Sequence, residues 1–290
     1  MKKFIILIPV YNDWKSLGKL LFEINTSIQG LKDIEFKCLI INDASTEPTP
    51  KIEVPSNIYS IELINMEKNR GHTRCNAFGI RHVANNVDCD HLIVMDGDGE
   101  DRPEEIKLLV KKALDNPEIS IVAKRVKRSE GILFRALYQI HKIITYLFTG
   151  KNMNFGHYSC LTINDVKNLS SKKSLWGNFS GSVKLHIKKL KSINSIRGVR
   201  YFGPSKMSLL KLLIHSFSII AVFKKVVFLR SVFLILISSY FVEKIDLMVI
   251  TFQVSLVFFN LLIYVVSLRE NQEGLLNSNK NEKSKTNFTH

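Results

Sequence analysis

The chain has 290 residues, enough for one large domain or two modest ones. Lysine and arginine exceed aspartate and glutamate by 41 to 26, and the resulting net charge of +15 favours anionic partners such as phosphorylated ligands or an anionic membrane surface. The four cysteines form no CxxC pair and no zinc-ligand spacing, which argues against a disulfide scaffold and against a zinc-binding class.

The first part of the chain alternates short apolar runs with helical stretches. The apolar runs predict strands at 4–10, 36–41, 59–64, 92–95 and 119–123. The helical stretches lie near 14–29, 73–86 and 104–115. That alternation predicts an α/β fold with a mostly parallel sheet flanked by helices. In such sheets ligands bind beyond the carboxyl ends of the strands, so the polar residues there are candidates for a site.

The strand predicted at 92–95 leads into an acidic turn, Asp96-Gly97-Asp98-Gly99-Glu100-Asp101. Carboxylates spaced by two at a strand end, with glycines between them, can bring oxygen ligands close to one point. Mg²⁺ and Mn²⁺ favour such oxygen sites. The alternative is an acidic turn that only caps the next helix, because acidic residues suit a helix N-terminus.

The last part of the chain is apolar over long stretches. Residues 131–149 predict either a core helix or one that lies against a bilayer, and residues 205–225 predict an amphipathic interfacial helix. Residues 247–267 carry no charge and would form roughly 31 Å of helix, enough to cross a hydrocarbon core. Residues 226–242 are a second candidate span, interrupted only by Arg230.

The sequence therefore predicts four segments. They are a globular domain at 1–204, the interfacial helix at 205–225, a two-helix transmembrane hairpin at 226–268 and a disordered polar tail at 269–290. Lys224 and Lys225 precede the first predicted span and Arg230 lies near its start, whereas residues 243–246 form a short charge-balanced connection. The positive-inside rule places the domain and the tail in the cytoplasm.

Four motifs stand in series at the predicted strand and helix ends. They are Ile8-Pro9-Val10-Tyr11-Asn12-Asp13, Ile41-Asn42-Asp43-Ala44-Ser45-Thr46, Asn69-Arg70-Gly71-His72-Thr73-Arg74 and Asp96-Gly97-Asp98. Their order and spacing resemble the family 2 glycosyltransferases with a GT-A fold, especially the membrane branch that transfers a sugar to dolichyl or undecaprenyl phosphate. The resemblance covers most of residues 3–206, and the two-span end is similar to the bacterial members. It implies an enzyme of the inner (cytoplasmic) membrane that serves a cell envelope glycan.

The resemblance also implies roles for individual residues. A nucleotide-sugar donor would contact Pro9, Tyr11, Asp13, Asp43, Arg74 and Asp96. A divalent cation, Mg²⁺ or Mn²⁺, would face Asp96, Asp98 and Glu100, and the catalytic residues would be Asp98, Arg125 and Arg200. The segment from Arg197 to Lys206 resembles the Arg-x-x-Arg-x-x-Gly-x-Ser-Lys segment of these transferases. Phosphate and lipid contacts would come from Arg128, Arg197, Arg200, Ser205 and Lys206.

Some positions depart from the family pattern. Asn42 and Ala44 replace an Asp and a Gly of the usual Asp-Asp-Gly-Ser, which leaves the base contacts less defined than the metal contacts. For Asp43, a turn-forming role and a ligand role stay equally open. His157 is the nearest titratable group in a segment where many relatives carry Asp, and it is either a structural histidine or a residue that orients the acceptor.

The implied reaction is an inverting transfer by a single in-line displacement. The acceptor, a polyprenyl phosphate, already has an anionic oxygen and needs positioning more than a general base. The alternatives are a catalytically degenerate, membrane-tethered nucleotide-binding protein, which the changes at Asn42 and Ala44 favour, and a transferase with another lipid acceptor. No nucleic-acid motif is present, so no nucleic-acid partner is expected, and a homo-oligomer is left open.

Overall fold

The described part of the chain is built around an eight-stranded sheet. The structure is a computed structural model that describes residues 1–127, 132–203, 209–240 and 246–290. The strands are β1 (Lys2–Val10), β2 (Ile34–Asn42), β3 (Ser60–Met66), β4 (His91–Val94), β5 (Ser120–Lys127), β6 (Phe155–Thr162), β7 (Leu190–Ile196) and β8 (Glu282–Thr289). Their order across the sheet is β7-β5-β6-β4-β1-β2-β3-β8.

Helices connect these strands and continue beyond β7. They are α1 (Trp14–Ile28), α2 (His72–Asn86), α3 (Ile106–Leu114), α4 (Ile132–Thr149), α5 (Ile163–Leu169), α6 (Lys173–Gly177), α7 (Phe179–His186), α8 (Leu209–Ala221), α9 (Lys224–Tyr240), α10 (Leu247–Ser267) and α11 (Gln272–Leu276). The predicted helix at 104–115 is α3 together with a 3-10 turn that begins at Pro103. A proline suits this first position because its missing N–H has no partner there.

Strands β1, β2, β3 and β4 run parallel and form the centre of the sheet. In this register Val10 lies opposite Asn42, so the chain leaves both strands at the same edge, and Asp96 follows β4 at that edge. The prediction of an α/β sheet flanked by helices is confirmed. The sheet is mixed, because β6 and β8 run antiparallel to their neighbours.

The alternation of side chains along β1 explains why both faces of the sheet are covered. Phe4, Ile6 and Ile8 belong to one buried cluster, which α1 and α3 complete. Ile5 and Leu7 belong to the second cluster, which α2 and the helices after β6 complete. Successive side chains of a strand point to opposite faces, so a continuous apolar run such as that of β1 requires a helix layer on each face.

One helical segment in the described ranges is long and apolar enough to cross a membrane, and it begins at Leu247 with α10. The predicted second span at 226–242 is not confirmed, since α9 contains Lys224, Lys225 and Arg230 within its first half. Helices α8 and α9 nevertheless both pack against α10 around a small apolar cluster that includes Ile220, Val227 and Ile263. Residues 204–208 and 241–245 lie outside the described residues.

The prediction of a disordered tail at 269–290 is wrong. After α11, residues of β8 pair antiparallel with β3, and Thr289 lies opposite Ser60 at the far end of the ladder. The ladder is reinforced by an ion pair of 2.7 Å between Lys285 Nζ and Glu62 Oε1. Backbone hydrogen bonds to an open sheet edge can order a strand that has few apolar side chains, and composition does not reveal that opportunity.

Candidate active site

Two loops at the carboxyl edge of the sheet are joined by the side chain of Asn12. Its Oδ1 accepts hydrogen bonds from the backbone N–H groups of Thr46 (2.9 Å) and Glu47 (3.1 Å), and its Nδ2 donates to Thr46 Oγ1 (2.9 Å). These contacts hold the chain after β1 beside the chain after β2. Tyr11, which is predicted to contact the nucleotide sugar, lies where these two loops meet and is 41% exposed.

Ala44 in the second loop adopts a left-handed backbone conformation, with φ of 56°. An L-residue other than glycine loses about 1–2 kcal/mol there, because its Cβ approaches the following carbonyl oxygen. The pattern of the family that the sequence resembles has glycine at this position, and glycine adopts this conformation without a steric cost.

Ala44→Gly is therefore expected to stabilise the protein by about 0.5–1 kcal/mol, once the greater unfolded-state entropy of glycine is subtracted. Thermal unfolding of the full chain in detergent should show a midpoint about 1–3 °C higher. Ala84→Gly is the matched control, since Ala84 lies in α2 and glycine there should cost about 1 kcal/mol. A lower midpoint for Ala44→Gly would contradict the strained conformation.

Asp43 is buried and anchors the start of α2. Its Oδ1 accepts a hydrogen bond from Arg70 N and its Oδ2 accepts one from Gly71 N, each 2.8 Å long. Both carboxylate oxygens thus serve the loop that places His72, the first residue of α2. These bonds run to a loop 27 and 28 residues away, so they give Asp43 an anchoring role that differs from both roles left open by the sequence, and its ligand role stays a prediction.

Three ligand-type side chains converge just beyond the end of β4. His72 Nε2 lies 2.8 Å from Asp96 Oδ1, and His157 Nδ1 lies 3.8 Å from the same oxygen. One ligand atom from each of the three residues falls within 4.8 Å of the others. Asp96 Oδ1 is buried, and within the described ranges it meets His72 as an ion-pair partner without an aligned hydrogen bond. We call His72, Asp96 and His157 the Asp96 cluster.

The charges of the Asp96 cluster depend on one another. Desolvation raises the pKa of Asp96, but the neighbouring His72 outweighs it and holds the pKa well below its usual value. Desolvation likewise lowers the pKa of His72, and the Asp96 carboxylate more than reverses this, so the net shift is upward. Burial, followed by the charge of His72, keeps the pKa of His157 well below its usual range. His157 therefore keeps a neutral imidazole, the form that binds a metal.

The other two predicted metal ligands are paired with the arginines predicted to bind phosphate. Arg200 Nη1 donates to Asp98 Oδ2 at 2.7 Å, and Arg200 Nη2 contacts Asp13 Oδ2. Arg197 Nη2 contacts Glu100 Oε2. Burial raises the pKa of Asp98 to about 6, with further contributions from Asp96 and Glu100. The structure thus brings these predicted residues together, with Arg200 as a bridge between the loop after β1 and the acidic turn.

Close backbone approach explains two glycines at this junction. A Cβ on Gly198 would lie 2.6 Å from the carbonyl oxygen of Gly99, so a larger residue cannot fit without movement of the backbone. Gly99 has φ of +86°, and a Cβ there would lie 2.4 Å from the Tyr201 ring. The Tyr201 hydroxyl in turn donates to Glu23 on α1. The chain at 197–201 is therefore packed directly on the acidic turn.

Arg125 lies behind the Asp96 cluster and reaches it through Asp101. Arg125 Nη2 is 3.6 Å from Asp101 Oδ1, and Asp101 Oδ2 accepts a hydrogen bond from Asp96 N at 3.0 Å. Burial and then the charge of Asp96 raise the pKa of Asp101 to about 7. A Cβ on Gly156 would lie 2.8 Å from Arg125 Nη2, which places the guanidinium against β6 next to His157.

The remaining predicted residues are more dispersed. Arg74 lies on α2 with its guanidinium 5.7 Å from the centre of the Trp176 ring. Pro9 lies within β1 opposite Ile41. The predicted phosphate ligands Arg128, Ser205 and Lys206 lie outside the described residues.

The sequence predicted no role for His72, and for His157 it predicted either a structural role or a role in orienting the acceptor, not a place in a metal site. His72 directly follows Gly71 at the start of α2. That position could have indicated a site residue, because this part of α2 faces the strand ends. His157 lies in β6, a strand that the sequence did not predict, and only the antiparallel pairing of β6 with β4 brings it beside Asp96.

Comparison with known proteins adds a family match. The family model described as glycosyl transferase family 2 matches residues 5–176. Undecaprenyl-phosphate 4-deoxy-4-formamido-L-arabinose transferases from Salmonella choleraesuis (strain SC-B67) and Salmonella typhimurium (strain LT2) are each 29% identical over 167 residues, which is 56% of this chain and 48% of theirs. The chain thus spans about half the length of the curated relatives it matches.

Solved structures share the fold at low identity. Glucosyl-3-phosphoglycerate synthase from Mycobacterium tuberculosis, in complex with Mn²⁺, UDP-glucose and phosphoglyceric acid, has a TM-score of 0.55 at 15% identity and covers 78% of this chain and 80% of its own. A mannosyltransferase from Pyrobaculum calidifontis, in complex with GDP-mannose and Mn²⁺, has a TM-score of 0.50 at 13% identity and covers 91% and 86%. At these identities the likeness establishes the fold alone.

Proposed function

The chain belongs to glycosyl transferase family 2, and we propose that it is an enzyme that transfers a sugar from a nucleotide sugar to a polyprenyl phosphate. The single observation that carries this proposal is the Asp96 cluster at the carboxyl edge of the parallel strands, with Arg200 and the acidic turn beside it. The relatives named for undecaprenyl phosphate support that acceptor. The complexes of similar fold, which contain UDP-glucose or GDP-mannose, support a nucleotide-sugar donor.

The donor set of the Asp96 cluster fits a divalent cation. Asp96 Oδ1 is buried and accepts no aligned hydrogen bond within the described residues, and two imidazole rings stand beside it with their centres 4.5 Å apart. Mixed nitrogen and oxygen ligands suit Mn²⁺ better than Mg²⁺, which prefers oxygen and dehydrates reluctantly. The Mn²⁺ in both neighbouring complexes supports this choice. Such a cation would stabilise the negative charge of the departing nucleoside diphosphate.

The proposed reaction is a single in-line displacement that inverts the configuration at the anomeric carbon. A bond forms between the acceptor phosphate oxygen and the anomeric carbon, while the bond from that carbon to the nucleoside diphosphate breaks. The acceptor oxygen is already an anion, so the chain has to position it and needs no strong base. Arg200, held by Asp13 and Asp98, supplies a fixed guanidinium for phosphate oxygens at the edge of the donor site.

The path of the C-terminal chain supports a membrane hairpin. Strand β8 follows the apolar helix α10, yet it pairs with β3 of the N-terminal sheet. A single crossing would leave β8 and the sheet on opposite sides, so the chain between β7 and β8 must cross an even number of times. We infer that α9 and α10 cross as a pair. Lys224 at the start of α9 and Glu270 just after α10 form an ion pair of 2.9 Å, which aligns the polar ends of the two helices.

A reporter fused after His290 is therefore expected to read cytoplasmic, like a reporter fused to the N-terminus. Cysteines introduced at Glu62 and Asn287, which are partners in the β3–β8 ladder, should form a cross-link in intact membranes under mild oxidation. Glu62→Cys combined with Lys280→Cys is the control, because Lys280 lies before β8. A periplasmic or lumenal reading for the C-terminal reporter would contradict the hairpin.

The transfer itself is tested by incubating membranes that contain the protein with undecaprenyl phosphate and a panel of radiolabelled UDP- and GDP-sugars, followed by extraction of the lipid. The expected result is a label in the lipid fraction that depends on Mn²⁺ and is absent from membranes with the Asp96→Asn variant. Cation-dependent binding of a nucleotide sugar without any labelled lipid product, over the whole panel, would contradict transfer to this acceptor.

A further inference from the structure

Two basic side chains lie in an apolar surface where α4 meets α9. Lys142 of α4 and Arg230 of α9 line one open cleft of about 570 Å³. Ile143, Tyr146 and Leu147 of α4 form its apolar wall. A pair of cations above an apolar wall matches a molecule that joins an anionic head to a hydrocarbon chain. The cleft shares no residue with the Asp96 cluster.

Arg230 is fixed over the C-terminus of α4. Its Nη1 donates to the carbonyl oxygens of Leu147 (2.6 Å) and Tyr146 (3.3 Å). Gly150 follows the helix with φ of +68°, and a Cβ there would lie 2.6 Å from Arg230 Nη2, so glycine permits this approach. A cation is favourable at a helix C-terminus. A guanidinium carries five N–H donors, more than these two contacts use, so the same group can also bind an anion.

The surface around the cleft identifies a bilayer as the surrounding medium. Ile143 is 67% exposed and Phe233 of α9 is 62% exposed, and large exposed apolar patches mark partner surfaces. The exposed apolar surface continues on α10, where Phe258 is 68% exposed. Arg230 is six residues after Lys224, or roughly 9 Å along the helix from the polar end of the proposed hairpin. That depth corresponds to the lipid headgroups, where an arginine can reach the phosphate groups of lipids.

We propose that this cleft binds the phosphate of a lipid, with Lys142 and Arg230 on the phosphate oxygens and the hydrocarbon chain along Ile143, Tyr146 and Leu147. A lipid-linked phosphate has two sources, a phospholipid of the bilayer or the polyprenyl phosphate acceptor. Only the second source rests on the proposed function. The recognition chemistry is the same for both, since each presents a phosphate at the headgroup level and an apolar chain beneath it.

The test measures lipid binding by the full chain in neutral detergent. Wild type, Lys142→Gln and Lys225→Gln are titrated with dioctanoyl phosphatidic acid and, separately, with undecaprenyl phosphate, and complexes are counted by native mass spectrometry. Lys225 is the matched control, an exposed lysine of α9 outside the cleft. Lys142→Gln is expected to bind the preferred lipid about tenfold more weakly, because it loses one charge-assisted hydrogen bond. Lys225→Gln is expected to bind like wild type. Arg230→Gln, checked for folding by its thermal midpoint, is expected to weaken binding to a similar degree.

Preference for phosphatidic acid would identify a phospholipid of the bilayer as the ligand. Preference for undecaprenyl phosphate would identify the acceptor. Either preference supports lipid binding in the cleft if Lys142→Gln loses the binding. Equal affinity of Lys142→Gln and wild type for both lipids would overturn the proposal, as would an equal loss in Lys225→Gln. Displacement of the lipid by inorganic phosphate alone at the same concentration would also overturn it. Asp96→Asn is expected to bind lipid normally while losing sugar transfer, which separates this proposal from the proposed function.

Discussion

Asp96→Asn is expected to lower the turnover of sugar transfer by about a thousandfold, the size of effect seen when a group that stabilises developing charge is removed. Asp96 contributes the carboxylate oxygen that lies between His72 and His157, and in the described part of the chain that buried oxygen accepts no aligned hydrogen bond. Asparagine keeps the shape of the side chain but removes its charge. The variant should therefore fold and yet bind a divalent cation poorly. Steady-state transfer to undecaprenyl phosphate, measured over a range of Mn²⁺ concentrations, gives the readout.

The matched control for that experiment is Asp115→Asn. Asp115 is an exposed residue at the end of α3, so its variant loses the same charge outside the site and should retain full turnover. The thermal midpoint of Asp96→Asn shows whether the protein is folded. If the turnover of Asp96→Asn were within a few-fold of wild type at low as well as saturating Mn²⁺, Asp96 would not be a ligand of the cation.

Arg200→Ala is expected to lower kcat/KM for the lipid phosphate about a hundredfold while changing the KM of the nucleotide sugar much less. Arg200 joins Asp13 to Asp98, so its loss removes one of the contacts that hold the chain at 197–201 on the acidic turn and removes a fixed cation from the donor edge. Arg200→Lys should recover little activity, because an ammonium cannot span two carboxylates as a planar guanidinium does. Separate titrations of donor and acceptor provide the measurement.

A double-mutant cycle between Asp98 and Arg200 then decides what Asp98 does. If Asp98 acts by holding Arg200, Asp98→Asn should cost little further activity in the Arg200→Ala background. If Asp98 binds the cation directly, the two losses should multiply. Arg102→Ala serves as the control, since the ion pair of Arg102 with Glu104 beside the same turn is long, at 3.6 Å, and joins no second carboxylate in the described residues. An equal effect of Arg102→Ala and Arg200→Ala would contradict the bridging role.

The central strands could be predicted because their own residues carry the signal. β1 and β4 are apolar on both faces, as buried parallel strands require, and their boundaries follow from those runs. β7 and β8 could not be predicted in the same way. β7 alternates buried and exposed positions at a sheet border, and β8 is almost entirely exposed. Such strands are held by backbone hydrogen bonds to a neighbour, and that neighbour is chosen by the rest of the fold.

The sequence predicted the edge of the sheet at which the candidate site lies, but it predicted only some of the residues that meet there. Asp96 follows from a strand end and an acidic turn, both of which are local features of the sequence. The bridge from Arg200 to Asp13 joins residues 187 positions apart, and nothing in either neighbourhood specifies the other. His72 and His157 meet because α2 begins where Asp43 anchors it and because β6 runs antiparallel beside β4. Pairings of this kind depend on topology, which residue spacing does not contain.

Pulsed electron paramagnetic resonance of Mn²⁺ bound to the full chain, with UDP or GDP present, tests most directly whether His72, Asp96 and His157 hold the cation that a nucleoside diphosphate meets. The expected spectrum shows nitrogen modulation from imidazole ligands, reduced in His72→Ala and lost when His157→Ala is added. Bound Mn²⁺ without any nitrogen modulation, or with a modulation that neither substitution changes, would contradict the proposed site.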